Sequence, residues 1–157
     1  MKKLTHFDDR GRAQMVDVSE KPSTSREAVA SGTVTMKKET MRLIEGDKMP
    51  KGDVLGVARV AGIMAAKKTP DIIPMCHPLN LSSVNIEFEF DAQENKIIIE
   101  SRVRITGQTG VEMEALTAVA AAALTIYDMC KSVDKEIVIS DILLREKRGG
   151  KSGVFKR

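Results

Sequence analysis

Glu114, Thr117, Ala121, Thr125, Asp128 and Lys131 recur at spacings of three and four in an otherwise apolar segment. On a helix, at about 100° per residue, such spacing draws one narrow stripe. The stripe carries two carboxylates and an ammonium, and buried charges are costly unless paired or used. Such a stripe could line a polar groove at a subunit boundary. The same spacing also suits a plain Asp128–Lys131 ion pair at a helix rim, with threonine hydroxyls bonded back to the backbone. Lys51 stands in Pro50-Lys51-Gly52, between a rigid residue and a permissive one. A loop lysine is ordinarily solvated, but burial or a second cation turns it into a general acid or base. Met75-Cys76-His77-Pro78 offers an imidazole in a stiff setting, either as a satisfied structural residue or as a positioned one. Cys76 and His77 lack further soft ligands nearby in sequence, so no metal site is read from them. Cys130 lies one residue off the stripe and is expected to pack.

These groups need elements to hold them. Residues 1–25 read as a polar N-terminal extension, with a short alternation at Met15-Val16-Asp17-Val18 and a loop over Lys21–Ser25. Arg26–Lys37 alternates as a strand. Glu39–Glu45 suits a short helix ended by Gly46. Asp53 is a fair N-cap for a helix to about Lys68, stopped by Pro70. Three prolines in residues 69–80 make that stretch a stiff loop without regular helix. Val84, Ile86, Phe88 and Phe90 oppose Asn85, Glu87 and Glu89, and Ile97, Ile99, Val103 and Ile105 answer after a turn at Asp91–Asn95, which makes a hairpin. A helix over Val111–Val133 and a strand over Glu136–Leu144 follow. The order strand, helix, strand, strand, helix, strand predicts an α+β, ferredoxin-like domain. Its antiparallel sheet would carry two long helices on one face. One domain spans 1–157, closed by a flexible basic Gly-rich tail at 146–157.

The Val111–Val133 helix is apolar nearly all round, so one sheet cannot cover it and a partner subunit is expected to. Small residues on the Asp53–Lys68 helix, Gly56, Ala58, Ala61, Gly62 and Ala65, permit close packing.

Composition bounds the rest. The 157 residues are 42% apolar and 30% charged, ordinary for a globular protein and too apolar for a disordered one. Two cysteines rule out a disulfide framework and a four-cysteine metal site. The opening residues hold no apolar run, and Ala118–Leu124 is far short of the roughly 20 residues that span a bilayer, so a cytoplasmic protein without membrane contact is expected. Lys and Arg number 25 against 22 Asp and Glu. Charge is uneven: the first 52 residues and the last 13 are net basic around an acidic middle. Basic ends suggest an anionic partner such as a phosphate or nucleotide. Gly149-Gly150-Lys151-Ser152-Gly153 has phosphate-loop composition, but no helix follows it. Glycine amides with Lys147, Arg148 and Lys151 could still grip phosphate oxygens.

Several linked motifs resemble one family. They are Pro50-Lys51-Gly52-Asp53-Val54-Leu55, Ala58–Ile63, Pro74-Met75-Cys76-His77-Pro78-Leu79, Gly110–Thr117, Tyr127-Asp128-Met129-Cys130-Lys131, the Gly150–Gly153 tail, and His6-Phe7 with Met15–Ser19 at the start. Together they are similar to the cyclic pyranopterin monophosphate synthases, the molybdenum cofactor biosynthesis protein C family, over essentially the whole chain. The resemblance implies a lyase that rearranges a 3′,8-cyclised dihydro-GTP into cyclic pyranopterin monophosphate and releases pyrophosphate. It implies no organic cofactor and a ferredoxin-like homohexamer, a trimer of dimers with sites at subunit boundaries. It makes Lys51 and Lys131 the acid/base pair and Asp128 the active-site carboxylate. Glu114 would accept from the purine-derived ring, with Glu112, Met113 and the Met75-Cys76-His77 loop completing the wall. Arg26, Lys147 and Lys151 would steady the triphosphate.

Two other classes compete. A ferredoxin-like nucleic-acid-binding module would stack bases on exposed strand aromatics. Phe88 and Phe90 share the face of Val84 and Ile86, however, and the Glu87–Glu89 face would repel RNA. A non-catalytic oligomeric scaffold explains the apolar helices and leaves the polar stripe unexplained.

Overall fold

A computed structural model describes residues 7–157; His6 of the opening motif lies outside them. The elements in order are β1 (Thr24–Thr35), α1 (Lys38–Glu45), α2 (Val54–Lys67), α3 (Thr69–Ile72), β2 (Ser83–Asp91), β3 (Lys96–Gly107), α4 (Glu112–Cys130), β4 (Val138–Arg148) and β5 (Phe155–Lys156). The strands form one antiparallel sheet in the order β2-β3-β1-β4-β5.

Period-two alternation sets the register. Ile97, Ile99, Val103 and Ile105 of β3 are all buried on one face. In β1 they meet Val34, Gly32, Ala28 and Arg26 respectively. A one-residue slip would turn that whole set toward solvent, so the pairing is strongly specified. The opposite face is polar: Glu27 binds Arg102 and Arg104 there, and Arg102 also meets Glu100.

Helices α2 and α4 cover the apolar face and pack on each other. Asp53 caps α2 by accepting from the Gly56 amide at 2.8 Å. A Cβ on Gly62 would lie 2.3 Å from Ile86 Cδ1 and 2.8 Å from the Ala118 carbonyl oxygen, so only glycine admits this approach of α2 to α4. Buried Ser101 of β3 donates to the Ala115 carbonyl at 2.7 Å, tying α4 to the sheet. At the far end of α4, Asp134 is 1% exposed. It accepts from the Lys37 amide, the Thr40 hydroxyl and the Glu136 amide. One carboxylate thus fixes the start of α1 against the turn after α4.

Three local expectations need correction. The stretch 69–80 is not wholly irregular, because α3 forms a single turn with Pro70 at its start. There the missing amide hydrogen would have had no partner anyway. The tail is not a loose end. Strand β4 runs on to Arg148, Gly149 and Gly150 turn the chain with φ of 93° and 75°, and β5 pairs Phe155 with Lys147 and Lys156 with Glu146. The sheet therefore has five strands rather than four. Helix α4 ends at Cys130, which makes Lys131 its C-cap.

Continuous apolar run length also understates α4. By length and mean hydropathy (1.3 over its best window) this helix could cross a membrane. Its burial against β1, β3 and β4 marks it as a core helix. Some apolar side chains stay exposed on the helical layer: Val57, Val60 and Met64 of α2 and Leu124 of α4.

Candidate active site

The residues singled out by sequence gather in two places, one at each end of α4. At its C-terminal end, Lys131 Nζ lies 2.6 Å from Asp128 Oδ1. Thr125 donates back to the Ala121 carbonyl at 2.7 Å. These are the rim ion pair and the back-bonded hydroxyl that helical spacing alone predicts. The third member does not follow from spacing. Lys51, from the turn after α1, brings Nζ to 3.0 Å from the Asp128 carbonyl oxygen and 3.3 Å from Asp128 Oδ2. Two ammonium groups thus share one carboxylate. Met49, 4% exposed, anchors the turn in the core two residues before Lys51. Gly52, with φ of 88°, lets the chain double back after it.

The electrostatics follow from the geometry. Hydrogen bonds from Lys131 and then Lys51 hold the Asp128 carboxyl below its ordinary range. The bond to Asp128 in turn raises the Lys131 ammonium above its usual value. All three side chains are roughly half exposed, so the cluster is open to a ligand.

At the other end of α4 lies a pocket of about 660 Å³. Of the expected residues, Arg26, Met75, His77 and Lys151 line it. Arg26 Nε donates to the Gly107 carbonyl at 3.0 Å, which aims the guanidinium. The tail turn closes over it: a Cβ on Gly150 would sit 2.3 Å from Arg26 Nη1, and one on Gly149 would sit 2.3 Å from the Ser25 carbonyl oxygen. These two glycines are needed both for backbone conformation and for close approach. His77 Nε2 lies 2.7 Å from the Val16 carbonyl oxygen. A carbonyl only accepts, so Nε2 carries the hydrogen.

Sequence reasoning missed part of this wall. Val16, Val18, Lys21 and Pro22 line it from the N-terminal segment, and Gln108 and Thr109 from the β3–α4 turn. Thr24 contributes a hydroxyl that is enclosed and has no hydrogen-bond partner among the described residues. Lys21, Arg26 and Lys151 make the pocket cationic, and no carboxylate lines it among the described residues. The glycines flanking Gln108-Thr109 were the one available signal for this turn.

The remaining expected residues stand beside the pocket rather than in its lining. Lys147 pairs with Glu112 at 2.9 Å. Glu114 is 3% exposed; burial pushes its carboxyl upward, its own amide offsets this in part, and Glu112 adds to the rise. Cys76 is also pushed up, first by burial and then by the Glu114 charge. Met113 is exposed. Glu114 and Asp128 are fourteen positions apart on α4, roughly 21 Å along its axis. One chain therefore presents a cationic pocket and a Lys–Asp–Lys cluster at opposite ends of a single helix.

A model described as the MoaC family matches residues 15–150. The chain belongs to that family. The match spans the N-terminal wall, both lysines of the cluster, the whole of α4 and the glycine turn over Arg26. Among similar proteins, the cyclic pyranopterin monophosphate synthase of Pelotomaculum thermopropionicum is 62% identical over 157 residues, covering 100% of this chain and 92% of the relative. The protein of the same name from Heliobacterium modesticaldum is 60% identical, covering 100% and 99%. That of Thermoanaerobacter pseudethanolicus is 59% identical over 154 residues, covering 98% of each.

Proposed function

We propose that this MoaC-family chain is a cyclic pyranopterin monophosphate synthase. In this reading it is a lyase of molybdenum cofactor biosynthesis that converts the 3′,8-cyclised dihydro-GTP into cyclic pyranopterin monophosphate and pyrophosphate. The observation that carries the reading is the convergence of Lys51 and Lys131 on Asp128, in a family whose relatives bear that name.

The reaction opens the imidazole ring, builds a pyran ring and closes a cyclic phosphate. In the last of these, a sugar-derived hydroxyl bonds to the α-phosphorus as the bond to the pyrophosphate oxygen breaks. The hydroxyl proton passes to a base. Lys51 and Lys131 deliver and take protons. Asp128 holds both ammonium groups at one place and favours the charged form of Lys131. Arg26 and Lys151, with Lys147 nearby, bind the phosphates, Arg by two-pronged contacts. Glu114, supported by Glu112, accepts from the ring N–H groups, and Met75, Cys76, His77 and Met113 wall the ring. No organic cofactor enters this scheme.

The two halves of the site work together across a subunit boundary: the cluster of one copy meets the pocket of another. The roughly 21 Å between Glu114 and Asp128 on one helix supports this. So does the exposed apolar row Val57, Val60, Met64 and Leu124, which a second copy would cover. The assembly in this reading is a homohexamer, a trimer of dimers, in the cytoplasm. Its partner is a small nucleotide; nucleic acid and membrane have no part. Strand order β2-β3-β1-β4 with both main helices on one face supports a ferredoxin-like assignment, β5 being an addition at the edge.

Incubating the purified protein with the cyclised nucleotide and assaying for pyrophosphate and pterin tests the activity. Equimolar appearance of both is expected; absence of both would overturn the reading. A stable monomer in light scattering would overturn the shared site.

A further inference from the structure

We propose that residues 16–22 form a strap that completes the cationic pocket, and that Gln108 is the positioning residue that latches it. The strap has no regular secondary structure, yet three side chains shape it through five hydrogen bonds. Gln108 Nε2 donates to the Lys21 carbonyl at 3.0 Å and to the Ser19 carbonyl at 3.3 Å. His77 holds the Val16 carbonyl at 2.7 Å. Within the strap, Asp17 accepts from the Ser19 amide at 2.9 Å and from its hydroxyl at 2.6 Å. The strap is therefore gripped at both ends, by Gln108 from the β3–α4 turn and by His77 from the Pro-rich loop.

What the strap brings is Lys21. This side chain and those of Val16, Val18 and Pro22 line the pocket opposite Thr109 and Gly110. The segment stands on the surface, with Asp17, Ser19, Glu20 and Lys21 exposed. Its closed position therefore depends on a few hydrogen bonds rather than on burial. Opening it would remove one of the pocket's three cations. An anion that meets Lys21, Arg26 and Lys151 together binds the closed form better and shifts the strap toward it. The ligand side of this inference rests on the reading of the pocket as the triphosphate end of the site.

The test uses the full chain. Gln108→Met keeps length and removes both donors. Gln108→Lys keeps an N–H donor at this position, one bond further from the backbone. A glutamate-specific protease reports strap opening by cleavage after Glu20, with inorganic tripolyphosphate as the anionic probe. Expected is cleavage about five- to tenfold faster in Gln108→Met, with Gln108→Lys near the parent rate. KM for the nucleotide should rise about five- to tenfold in Gln108→Met, with kcat within about twofold. Tripolyphosphate should slow cleavage of the parent protein. Unchanged cleavage and KM in a folded Gln108→Met protein would overturn the latch. Tripolyphosphate that neither binds the parent nor protects its strap would instead overturn the anion-pocket reading, and the cleavage comparison would still judge the latch.

Discussion

Lys51 Nζ reaches both the carbonyl and the carboxylate of Asp128, at 3.0 and 3.3 Å, across 77 residues of chain. Lys131 occupies the other carboxylate oxygen of the same residue at 2.6 Å. A helix-rim ion pair would need only Asp128 and Lys131. The second lysine makes the cluster one in which a single carboxylate holds two ammonium groups close together.

Removing either lysine should leave the fold intact, because all three side chains are roughly half exposed and none belongs to the core. Lys51→Ala and Lys131→Ala should each lower kcat by roughly 10²–10⁴-fold, with thermal midpoint and oligomer size unchanged. Near-normal turnover by either variant would remove that lysine from the chemistry. Asp128→Asn should let the Lys131 pKa fall back toward its ordinary value, since the carboxylate is what raises it. Nitrogen-detected NMR titration of the ammonium would show no downward shift if the carboxylate were irrelevant.

Because the pocket and the cluster lie at opposite ends of α4, defects in them should complement between copies. Arg26→Ala and Lys51→Ala are each expected to be nearly inactive. Mixed by unfolding and refolding together, they should regain up to about a quarter of parent activity, the share of sites that random two-copy pairing leaves unmutated. No recovery from verified mixed oligomers would mean that each site draws on one copy alone.

Glu114 should trade stability for binding. Burial raises its pKa, so ionisation at neutral pH costs folding free energy, and stability grows as pH falls through the raised value. A glutamine side chain has the same shape and no charge. Glu114→Gln should therefore gain about 0.5–2 kcal/mol at pH 7 while kcat/KM drops about tenfold or more for want of a charged acceptor. Urea titrations of both proteins check the first effect and steady-state kinetics the second. A less stable, fully active variant would contradict both.

Asp134 should do the opposite. Burial works against its charge, but the amides of Lys37 and Glu136 and the Thr40 hydroxyl outweigh it, so its pKa lies below the ordinary 3.8. A depressed carboxylate contributes stability above its unfolded value and loses it as pH falls through the folded one. Asp134→Ala should cost about 2–3 kcal/mol at pH 7, and the gap from the parent should shrink below pH 3.8. A gap that does not change with pH would rule out this electrostatic account.

Local pattern alone carried much of this architecture. Asp53 as a cap, the period-two hairpin of Val84–Phe90 with Ile97–Ile105, and the three-and-four spacing along α4 depend only on backbone geometry and neighbours in sequence. The acid/base and wall roles expected for Lys51, Asp128, Lys131, Arg26 and His77 came through family motifs rather than through any such pattern. Prolines and glycines misled at two points. Pro70 opens a helical turn as readily as it ends one, and Gly149-Gly150 reverses the chain into β5 instead of loosening it. What tertiary structure alone decided are the meetings between distant residues: Lys51 with Asp128, Asp134 with Lys37, and Gln108 with Lys21. Hydrogen bonds and charges act over a few ångströms, and nothing in the linear order says which remote side chains will stand that close until the core has packed.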